Sequence, residues 1–351
     1  MKRILVLAFT TFVISSCVKS PTGPGGGNTL TNASVVYVVN EGNFGKGNSS
    51  LTAYYPDSNA AVTDVFKIVN GRNLGDTGND IAIFDQKAYI VVNNSDKIEI
   101  INSQNASWVG TIYFAAGTSP YRIAIDAQDN LGFVSDLQTN AVSVVNLTTN
   151  SLTGDTISVG NNPYGIAYYS GYVFAANSGY GSGNTVSVID AVSRKVVKTV
   201  TVGTGPTEVL SDGSGVVWVV CPGNIGDIGK VYLINTSTLA VVDSINTNAG
   251  ISAYGGHAFA FDADRGAAYL IADSSVIKLN LTTHQILNDN FISGTFFGMS
   301  VDGATGNIFL TDAKDYQSNG QVYIYSPTGT YTSKSFTAGI IPDAMAFQRG
   351  F

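Results

Sequence analysis

The fold of this chain is decided by residues 184–203, which read NTVSVIDAVSRKVVKTVTVG. Two runs rich in valine, isoleucine and threonine, Thr185–Ile189 and Lys195–Val202, flank a short stretch that begins at Asp190. β-Branched residues favour strands, and a polar break between two such runs favours a tight turn. The stretch therefore predicts a β-hairpin.

The hairpin belongs to a unit that recurs about every 40 to 50 residues, a period typical of stacked or ring-shaped repeat folds. Each unit begins with a short apolar strand, turns into a second, crosses a longer variable loop into a third and turns into a fourth. The six complete units open with Asp80–Ile83, Arg122–Ile125, Gly165–Tyr168, Glu208–Leu210, Ala258–Phe261 and Gly298–Val301. Four strands per repeat are typical of propeller blades.

The two ends of the chain supply the parts of a seventh unit. Val35–Val39, Leu51–Tyr55 and Val62–Phe66 match strands two, three and four, and Pro342–Phe347 matches a first strand with nothing after it. Joining them closes a ring and removes the exposed sheet edges of a linear array. We predict an all-β fold, a seven-bladed β-propeller with four-stranded antiparallel blades, the first blade closed by both termini; six or eight blades are the alternatives.

The N-terminus has the features of a lipoprotein signal. Lys2 and Arg3 precede an apolar run too short to span a bilayer permanently, and Ile14-Ser15-Ser16-Cys17 resembles a lipobox. We predict a signal peptide at residues 1–16, lipidation of Cys17, a flexible Gly/Pro linker at 17–33 and the propeller at 34–351. An ordinary signal peptide with a chance cysteine is the alternative.

Composition excludes several classes of protein. The net charge is −7 with only 12% charged residues and no basic run, so we expect no nucleic-acid partner and membrane contact through the lipid anchor only. After Cys17 only Cys221 remains, which excludes an intrachain disulfide in the mature chain. Two histidines are too few for a multi-histidine metal site, so we expect no metal, no cofactor and no enzyme activity.

One face of the predicted propeller is rich in aromatic residues. The loops between second and third strands carry Phe44, Tyr180 and Tyr316, and the residues that enter the first strands near the axis include further aromatics. Aromatic rings with a few polar groups suit a flat organic ligand or a protein partner. The predicted ligand-binding residues are Phe44, Tyr121, Arg122, Tyr164, Tyr180, Tyr254, His257, Phe297 and Tyr316. The alternative is that these rings pack between blades.

Two resemblances add to this interpretation. Residues 184–190 and 195–203 resemble the YVTN-type propeller repeat of bacterial surface and periplasmic proteins. Residues 40–44, 63–66, 70–72 and 74–77 resemble Bacteroidota surface lipoproteins of YncE and DUF5074 type, which include propellers that capture cobalamin for its outer-membrane transporter. The resemblance implies an outer-membrane lipoprotein that captures a small ligand, a corrinoid being the one implied, for an outer-membrane transporter.

Other functions remain open at this point. The same face could bind a protein or a glycan without any small molecule, and an enzyme such as a lactonase or lyase is a third alternative. Surface lipoproteins of the related phylum carry acidic residues after the lipidated cysteine, whereas this chain has Val18-Lys19-Ser20. Both a surface-exposed and a periplasm-facing position on the outer membrane are therefore compatible with the sequence.

Overall fold

The computed structural model describes residues 33–224, 226–251 and 256–349. They form seven antiparallel sheets of four strands each. The first strand of one sheet lies against the first strand of the next around most of the ring. The predicted all-β, seven-bladed propeller is confirmed. No helix within these residues has both the length and the apolar character needed to cross a membrane.

The strands are numbered in chain order and grouped by blade. Blade 1 has β1 (Ala33–Asn40), β2 (Ser50–Tyr55), β3 (Ala60–Val62) and β28 (Pro342–Arg349); blade 2 has β4 (Gly78–Phe84), β5 (Lys87–Val92), β6 (Lys97–Asn102) and β7 (Trp108–Tyr113). Blade 3 has β8 (Pro120–Asp126), β9 (Leu131–Asp136), β10 (Ala141–Asn146) and β11 (Ser151–Ser158); blade 4 has β12 (Pro163–Tyr169), β13 (Tyr172–Asn177), β14 (Thr185–Asp190) and β15 (Lys195–Thr201). Blade 5 has β16 (Glu208–Ser211), β17 (Val216–Cys221), β18 (Lys230–Asn235) and β19 (Ala240–Asn246); blade 6 has β20 (Phe259–Asp262), β21 (Ala267–Ile271), β22 (Ser275–Asn280) and β23 (Ile286–Ser293); blade 7 has β24 (Met299–Val301), β25 (Ile308–Asp312), β26 (Asn319–Tyr325) and β27 (Tyr331–Ile340). One α-helix, α1 (Val65–Asn70), and short 3-10 turns at Asn93–Ser95, Gly179–Gly181 and Ala263–Arg265 complete the elements.

The core lies between neighbouring blades. The second strands of blades 2, 3 and 4 are almost wholly buried because both of their faces pack on another sheet. Tyr89 and Ile98 of blade 2, for example, share one apolar cluster with Val134 and Val145 of blade 3. Burial of such side chains contributes roughly 1.5–3 kcal/mol each, which is why this ring needs no disulfide.

The chain ends close the ring as the sequence predicts. β28 pairs with β1 in antiparallel register, with Val36 opposite Phe347 and Tyr37 opposite Ala346. β1 then pairs with β2, so the C-terminal strand is the innermost strand of blade 1. The closing blade is thus built from both ends of the chain.

Blade 1 differs from the prediction in its fourth strand. The expected strand Val62–Phe66 is wrong beyond Val62, because β3 ends there and α1 begins at Val65. Asp64 adopts a left-handed conformation with φ 55° and its side chain accepts a hydrogen bond from the backbone N–H of Lys67, which caps a helix. Phe66 then lies fully buried in the cluster that contains Tyr37. Tertiary burial of one ring therefore overrides a strand-like composition.

The propeller has two unlike faces. The loops that join second to third strands, and fourth strands to the next blade, open on one side, which we name the upper face. The tight turns within each hairpin lie on the lower face. Ala33, the first described residue, pairs with Arg349 at the end of β28 that is remote from Pro342. The chain therefore enters the propeller at its lower face.

Candidate ligand-binding face

A repeated turn precedes the first strand of four blades and places one residue of each of these blades at the mouth of the axis. In four blades a residue with positive φ precedes a proline: Ser119-Pro120 (φ 55°), Asn162-Pro163 (φ 43°), Gly205-Pro206 (φ 66°) and Ile341-Pro342 (φ 52°). Proline fixes its own φ and cannot donate a hydrogen bond, so it suits the first position of a strand. The residues that follow these prolines are Tyr121, Tyr164, Thr207 and Asp343.

Most of the predicted aromatic residues meet in two groups on the upper face. Tyr121 stacks on Tyr164 with ring centroids 4.7 Å apart, and Tyr180 meets Tyr164 edge-on at 6.4 Å. Across the axis, Phe297 meets Tyr316 edge-on at 5.9 Å. Tyr180 and Tyr316 are half exposed, whereas Tyr121, Tyr164 and Phe297 are partly buried.

Phe44 belongs to the second aromatic group. Its ring is 74% exposed in the loop between β1 and β2. The neighbouring Asn43 donates from Nδ2 to the backbone oxygen of Tyr316 at 2.7 Å, which ties the two loops together. The upper face thus carries an aromatic group over blades 3 and 4 and another over blades 7 and 1.

Two of the loop aromatics are held in a strained backbone conformation. Tyr180 has φ 52° and Tyr316 has φ 61°, a region that bulky residues rarely occupy. Tyr180 sits in a 3-10 turn whose preceding residue, Ser178, accepts from the N–H of Gly181 at 3.2 Å. Strain of this kind costs roughly 1–3 kcal/mol and clusters at ligand-binding sites.

Below the aromatic rings, the axis is filled by ionisable side chains. Arg122 Nη2 lies 3.2 Å from Glu208 Oε1, and Arg122 Nη1 contacts the His257 ring. His257 Nε2 lies 3.2 Å from Asp80 Oδ1, and His257 Nδ1 lies 3.2 Å from Asp343 Oδ1. We name these five residues the axial cluster: Asp80, Arg122, Glu208, His257 and Asp343.

The carboxylates decide the charge of the axial cluster. Burial and the Arg122 charge lower the pKa of His257, but the ion pairs and hydrogen bonds with Asp343 and Asp80 outweigh them and raise it to about 9. Burial likewise raises the pKa of Asp80 and Asp343, yet His257 and Arg122 hold both pKa values below the ordinary range. At neutral pH, His257 and Arg122 are therefore both cationic beside the two aspartates, while burial raises the pKa of Glu208 against the opposing charge of Arg122.

Glu41 lies beside this cluster at the end of β1. Burial, followed by the nearby Asp343 charge, raises the pKa of Glu41 to about 8. The carboxyl group is therefore largely protonated at neutral pH and can donate a hydrogen bond.

Three buried polar atoms of the axis lack a hydrogen-bond partner within the described residues: Asn79 Oδ1, Arg122 Nε and Asp343 Oδ2. Buried polar atoms normally have partners, so such atoms suggest a place for water or a ligand group. Among the described residues, no three histidine, cysteine, aspartate or glutamate side chains are arranged to hold a metal ion.

The sequence analysis missed the carboxylates of the axis. Arg122 and His257 were predicted, whereas Asp80, Glu208 and Glu41 were not named as site residues. The signal lay in the first strands, since Asp80-Ile81-Ala82-Ile83 and Glu208-Val209-Leu210 each begin with a charge in an otherwise apolar run. A charged residue at the start of a buried strand needs a partner, and the ring brings those partners together.

Two open clefts flank the loop of Tyr180 on the upper face. One, of about 430 Å³, lies between blades 4 and 5 and is lined by residues that include Asn184, Asp227 and Lys230. The other, of about 340 Å³, is lined by residues that include Asn177 and Thr185. Cys221, which lines the first, is buried, and burial raises the pKa of its thiol to about 12, so it is no nucleophile.

Two predicted residues lie outside the described residues, namely the lipidation site Cys17 and the ligand residue Tyr254. The eight others divide by position: Arg122 and His257 form part of the floor, and Phe44, Tyr121, Tyr164, Tyr180, Phe297 and Tyr316 surround it above. A ligand on this face would meet aromatic rings at its sides and charged groups beneath.

Similar structures support the fold. A quinonprotein alcohol dehydrogenase-like protein from Bacteroides thetaiotaomicron superposes with a TM-score of 0.69 at 14% identity, covering 90% of this chain and 78% of that chain. A functionally unknown protein from Desulfotomaculum acetoxidans gives 0.68 at 14% identity over 91% and 100% of the two chains. A candidate 6-phosphogluconolactonase from Bacteroides fragilis gives 0.66 at 11% identity over 89% and 97%. At these identities the likeness concerns the fold alone.

No curated protein matches the chain. A family profile does match, over residues 35–343, which include parts of all seven blades. Its description is "Domain of unknown function (DUF5074)". Because that match covers most of the sequence, the chain is a member of the DUF5074 family.

Proposed function

We propose that this protein is a lipid-anchored envelope binding protein that captures a flat small molecule on its upper face without transforming it. The observation that carries the proposal is the group formed by Tyr121, Tyr164 and Tyr180 at the mouth of the axis, above the axial cluster. Stacked and edge-on rings offer large apolar planes, while the floor offers hydrogen-bonding groups to the edges of a ligand.

The position of the tether supports capture. The chain enters the propeller at the lower face, at Ala33, opposite the aromatic groups. A lipid on Cys17 would therefore hold the lower face towards the membrane and leave the upper face open to arriving ligand. The resemblance of residues 40–44 and 70–77 to cobalamin-capturing lipoproteins makes a corrinoid the first ligand to test and an outer-membrane transporter the proposed recipient.

The state of His257 argues for binding over hydrolysis. A general base must be unprotonated near neutral pH. His257 has a pKa of about 9, and both of its ring nitrogens already face aspartates. The histidine at the axis is therefore a poor base, and its charge serves to neutralise Asp80 and Asp343.

The test is calorimetric titration of the chain from residue 18, which contains every described blade, with cyanocobalamin and cobinamide. We expect saturable one-to-one binding, and a loss of about tenfold or more in affinity for Tyr121→Ala. Tyr331→Ala is the control, because that tyrosine is exposed and lies on the outer strand of blade 7, away from the upper face. Absence of heat and of a thermal shift with both corrinoids would overturn corrinoid capture.

A second candidate is a protein or glycan partner on the same face. Phe44 and Ile228 project from separate loops with 74% and 54% exposure, at the rim of the face. Apolar residues at separate points of a rim suit a macromolecular surface better than one small ligand. Loss of a co-purifying envelope protein in Phe44→Asp, with corrinoid binding absent in the wild type, would favour this function.

A further inference from the structure

The axis of the propeller holds more acidic groups than basic ones. The axial cluster contains three carboxyl groups and two cations, Arg122 and His257. Glu41 adds a fourth carboxyl group, on which the charges of Asp343, Arg122 and His257 all act. Among the described residues the axis is therefore short of positive charge, and burial raises the pKa of both Glu41 and Glu208.

Glu41 lies between the axial cluster and the aromatic rings above it. Its backbone N–H donates to the backbone oxygen of Ile341 at 2.8 Å, which places Glu41 beside the turn that carries Asp343. Burial, with smaller contributions that include the charge of Glu41, raises the pKa of Tyr121. Glu41 is only partly buried, whereas the Asp343 side chain is 1% exposed. Glu41 therefore offers a carboxyl group that a ligand beneath the rings can reach.

Hydrogen-bond acceptors are also in excess at the axis. Asn79 Oδ1 and Asp343 Oδ2 are buried and lack a partner among the described residues, whereas Arg122 Nε is the one donor there in the same condition. Asn79 is 3% exposed, and its backbone oxygen accepts from Arg122 Nη1 at 3.1 Å, which holds this residue against the axial cluster. A group that donates several hydrogen bonds would therefore complement the axis.

An ammonium group has all the properties that the axis lacks. It carries a positive charge, donates three hydrogen bonds and is attracted to aromatic rings. A metal ion would also supply charge, but no three acidic, histidine or cysteine side chains of the described chain are arranged to hold one. A carboxylate or a phosphate would instead add to the negative charge of the axis.

We propose that the ligand captured on the upper face carries a protonated amine, which lies beneath Tyr121 and Tyr164 and forms an ion pair with Glu41. This assignment rests on the ligand capture proposed above and concerns one end of the ligand, whatever its flat part is. The ammonium group takes the place of the proton that Glu41 holds in the free chain. Binding at neutral pH therefore leaves Glu41 as a carboxylate and releases its proton to the solvent.

Calorimetric titration of the chain from residue 18 with three small aromatic compounds tests the charge of that end. At pH 7 benzylamine is a cation, benzyl alcohol is neutral and benzoate is an anion. We expect benzylamine to bind about tenfold or more tightly than benzyl alcohol, and benzoate not to bind. Benzylamine titrations in phosphate and in Tris, which take up protons with different enthalpies, should show the release of about one proton per ligand bound.

Glu41→Gln separates the ion pair from the rest of the site. Glutamine keeps the size and the neutral state of the protonated carboxyl group, so thermal unfolding at pH 7 should be unchanged. The variant should bind benzylamine only as weakly as benzyl alcohol and release no proton. Asp273→Asn is the matched control, because it removes one negative charge from an exposed loop of the upper face away from the axis. It should bind benzylamine like the wild type.

Equal affinity of the wild type for benzylamine and benzyl alcohol would overturn the proposal, and so would a Glu41→Gln variant that binds benzylamine as tightly as the wild type. Either result would leave capture of an uncharged ligand, including a corrinoid, intact. Absence of benzylamine binding up to about 20 mM would also overturn the amine. Only the additional absence of corrinoid binding would contradict ligand capture itself.

Discussion

Two buried ion networks of this propeller can be compared directly. At the outer part of blade 2, Glu99 receives two bonds from Arg72 at 2.8 Å each, one from Lys97 at 2.6 Å and one from Thr111 at 2.8 Å. At the axis, the cluster around Arg122 has more ionisable groups, yet Arg122 Nε, Asp343 Oδ2 and the neighbouring Asn79 Oδ1 are unpartnered within the described residues. In the first network both carboxylate oxygens of Glu99 have two donors each, so we call it complete. The second network keeps polar atoms without a partner, so we call it incomplete.

The difference separates a structural role from a binding role. Because every acceptor site of Glu99 is used, the network can only hold α1 and β6 together through Arg72. The axial cluster instead keeps hydrogen-bonding capacity beneath the aromatic groups, where a ligand or water can use it. Opposite charges make burial tolerable in both places, and of the two networks only the axis keeps polar atoms without a partner among the described residues.

The largest expected effect comes from breaking the axial cluster. Arg122→Met leaves Glu208 and Asp343 buried without their guanidinium partner, and such uncompensated charges typically cost about 3–5 kcal/mol of unfolding free energy. Urea unfolding of the wild type and the variant measures the loss. A loss of unfolding free energy below about 1 kcal/mol would mean that water already solvates these two carboxylates. The axis would then be open to solvent and would not depend on the Arg122 ion pairs.

The next effect is the pH dependence of stability. His257 has a pKa of about 9 in the folded chain against the usual 6.5, so its contribution is complete below pH 6.5 and lost as the pH rises through 9. Glu41, with a pKa of about 8 against 4.5, acts in the same direction, because the folded chain retains a proton that the unfolded chain releases. We expect His257 alone to lose on the order of 2–3 kcal/mol between pH 6.5 and 9, and Glu41 to add to that loss between pH 6.5 and 8.

Thermal unfolding across that pH range measures this loss, and His257→Gln should flatten the profile. The Glu99 network provides the contrast, since burial is outweighed there by Arg72 and Lys97, which lower the pKa of Glu99. Its contribution is present above the ordinary glutamate pKa and is lost only in acid. A wild-type profile that is level from pH 6.5 to 9 would contradict the ionised state assigned to His257.

A smaller effect is expected at the outer network. Arg72→Met removes two bonds to Glu99 but leaves those from Lys97 and Thr111, and the Arg72 side chain is 40% exposed. Solvent screening and the remaining partners limit the cost to about 1–2 kcal/mol. Urea unfolding beside Arg122→Met gives the comparison directly, and an equal or larger loss at Arg72 would reverse our ranking of the two networks.

The contrast also explains what the sequence could predict. Each blade follows from local sequence features, namely the alternation of apolar and polar residues along its strands and the turn residues between them. The repeat, the number of blades and the closing strand could therefore be predicted. Helix α1 was not, because Val65 and Phe66 have strand-like composition and only their burial beside Tyr37 selects a helix. Tyr121, Tyr164 and Phe297 could be predicted because each is the residue that enters the first strand of its blade, a position that recurs around the ring.

The carboxylates of Asp80 and Glu208 escaped that procedure for a physical reason. The axial cluster draws on two successive positions of the first strands: His257 and Asp343 come from the first position, and Asp80, Arg122 and Glu208 from the second. Residues far apart along the chain become neighbours only when the ring closes. Their pKa values depend on that proximity, so no local pattern encodes them.

The smallest expected effect concerns a third site, which is incomplete like the axis. Asp136 ends β9, where blades 1 and 4 have Asn40 and Asn177. Ser143 donates to Asp136 Oδ2 at 2.6 Å, but Oδ1 is buried without a partner, and burial raises the pKa of this carboxyl to about 7. Asn177 instead donates to two hydroxyls and accepts from the N–H of Gly160.

Asp136→Asn should therefore stabilise the chain by about 1 kcal/mol at pH 8, where the wild type must bury a charge that the unfolded chain ionises freely. The sign follows from the raised pKa: the wild type loses stability as the pH rises from about 4 to 7, and asparagine has no such loss. Near pH 4 both forms are neutral, so the difference should vanish. Thermal unfolding at the two pH values measures it, with Asp212→Asn as a control at a buried aspartate that has partners for both oxygens. If Asp136→Asn is instead less stable than the wild type at pH 8, Asp136 Oδ1 must accept a hydrogen bond from a water or a ligand at blade 3. The contrast between a complete network and an incomplete one would then have to include that group.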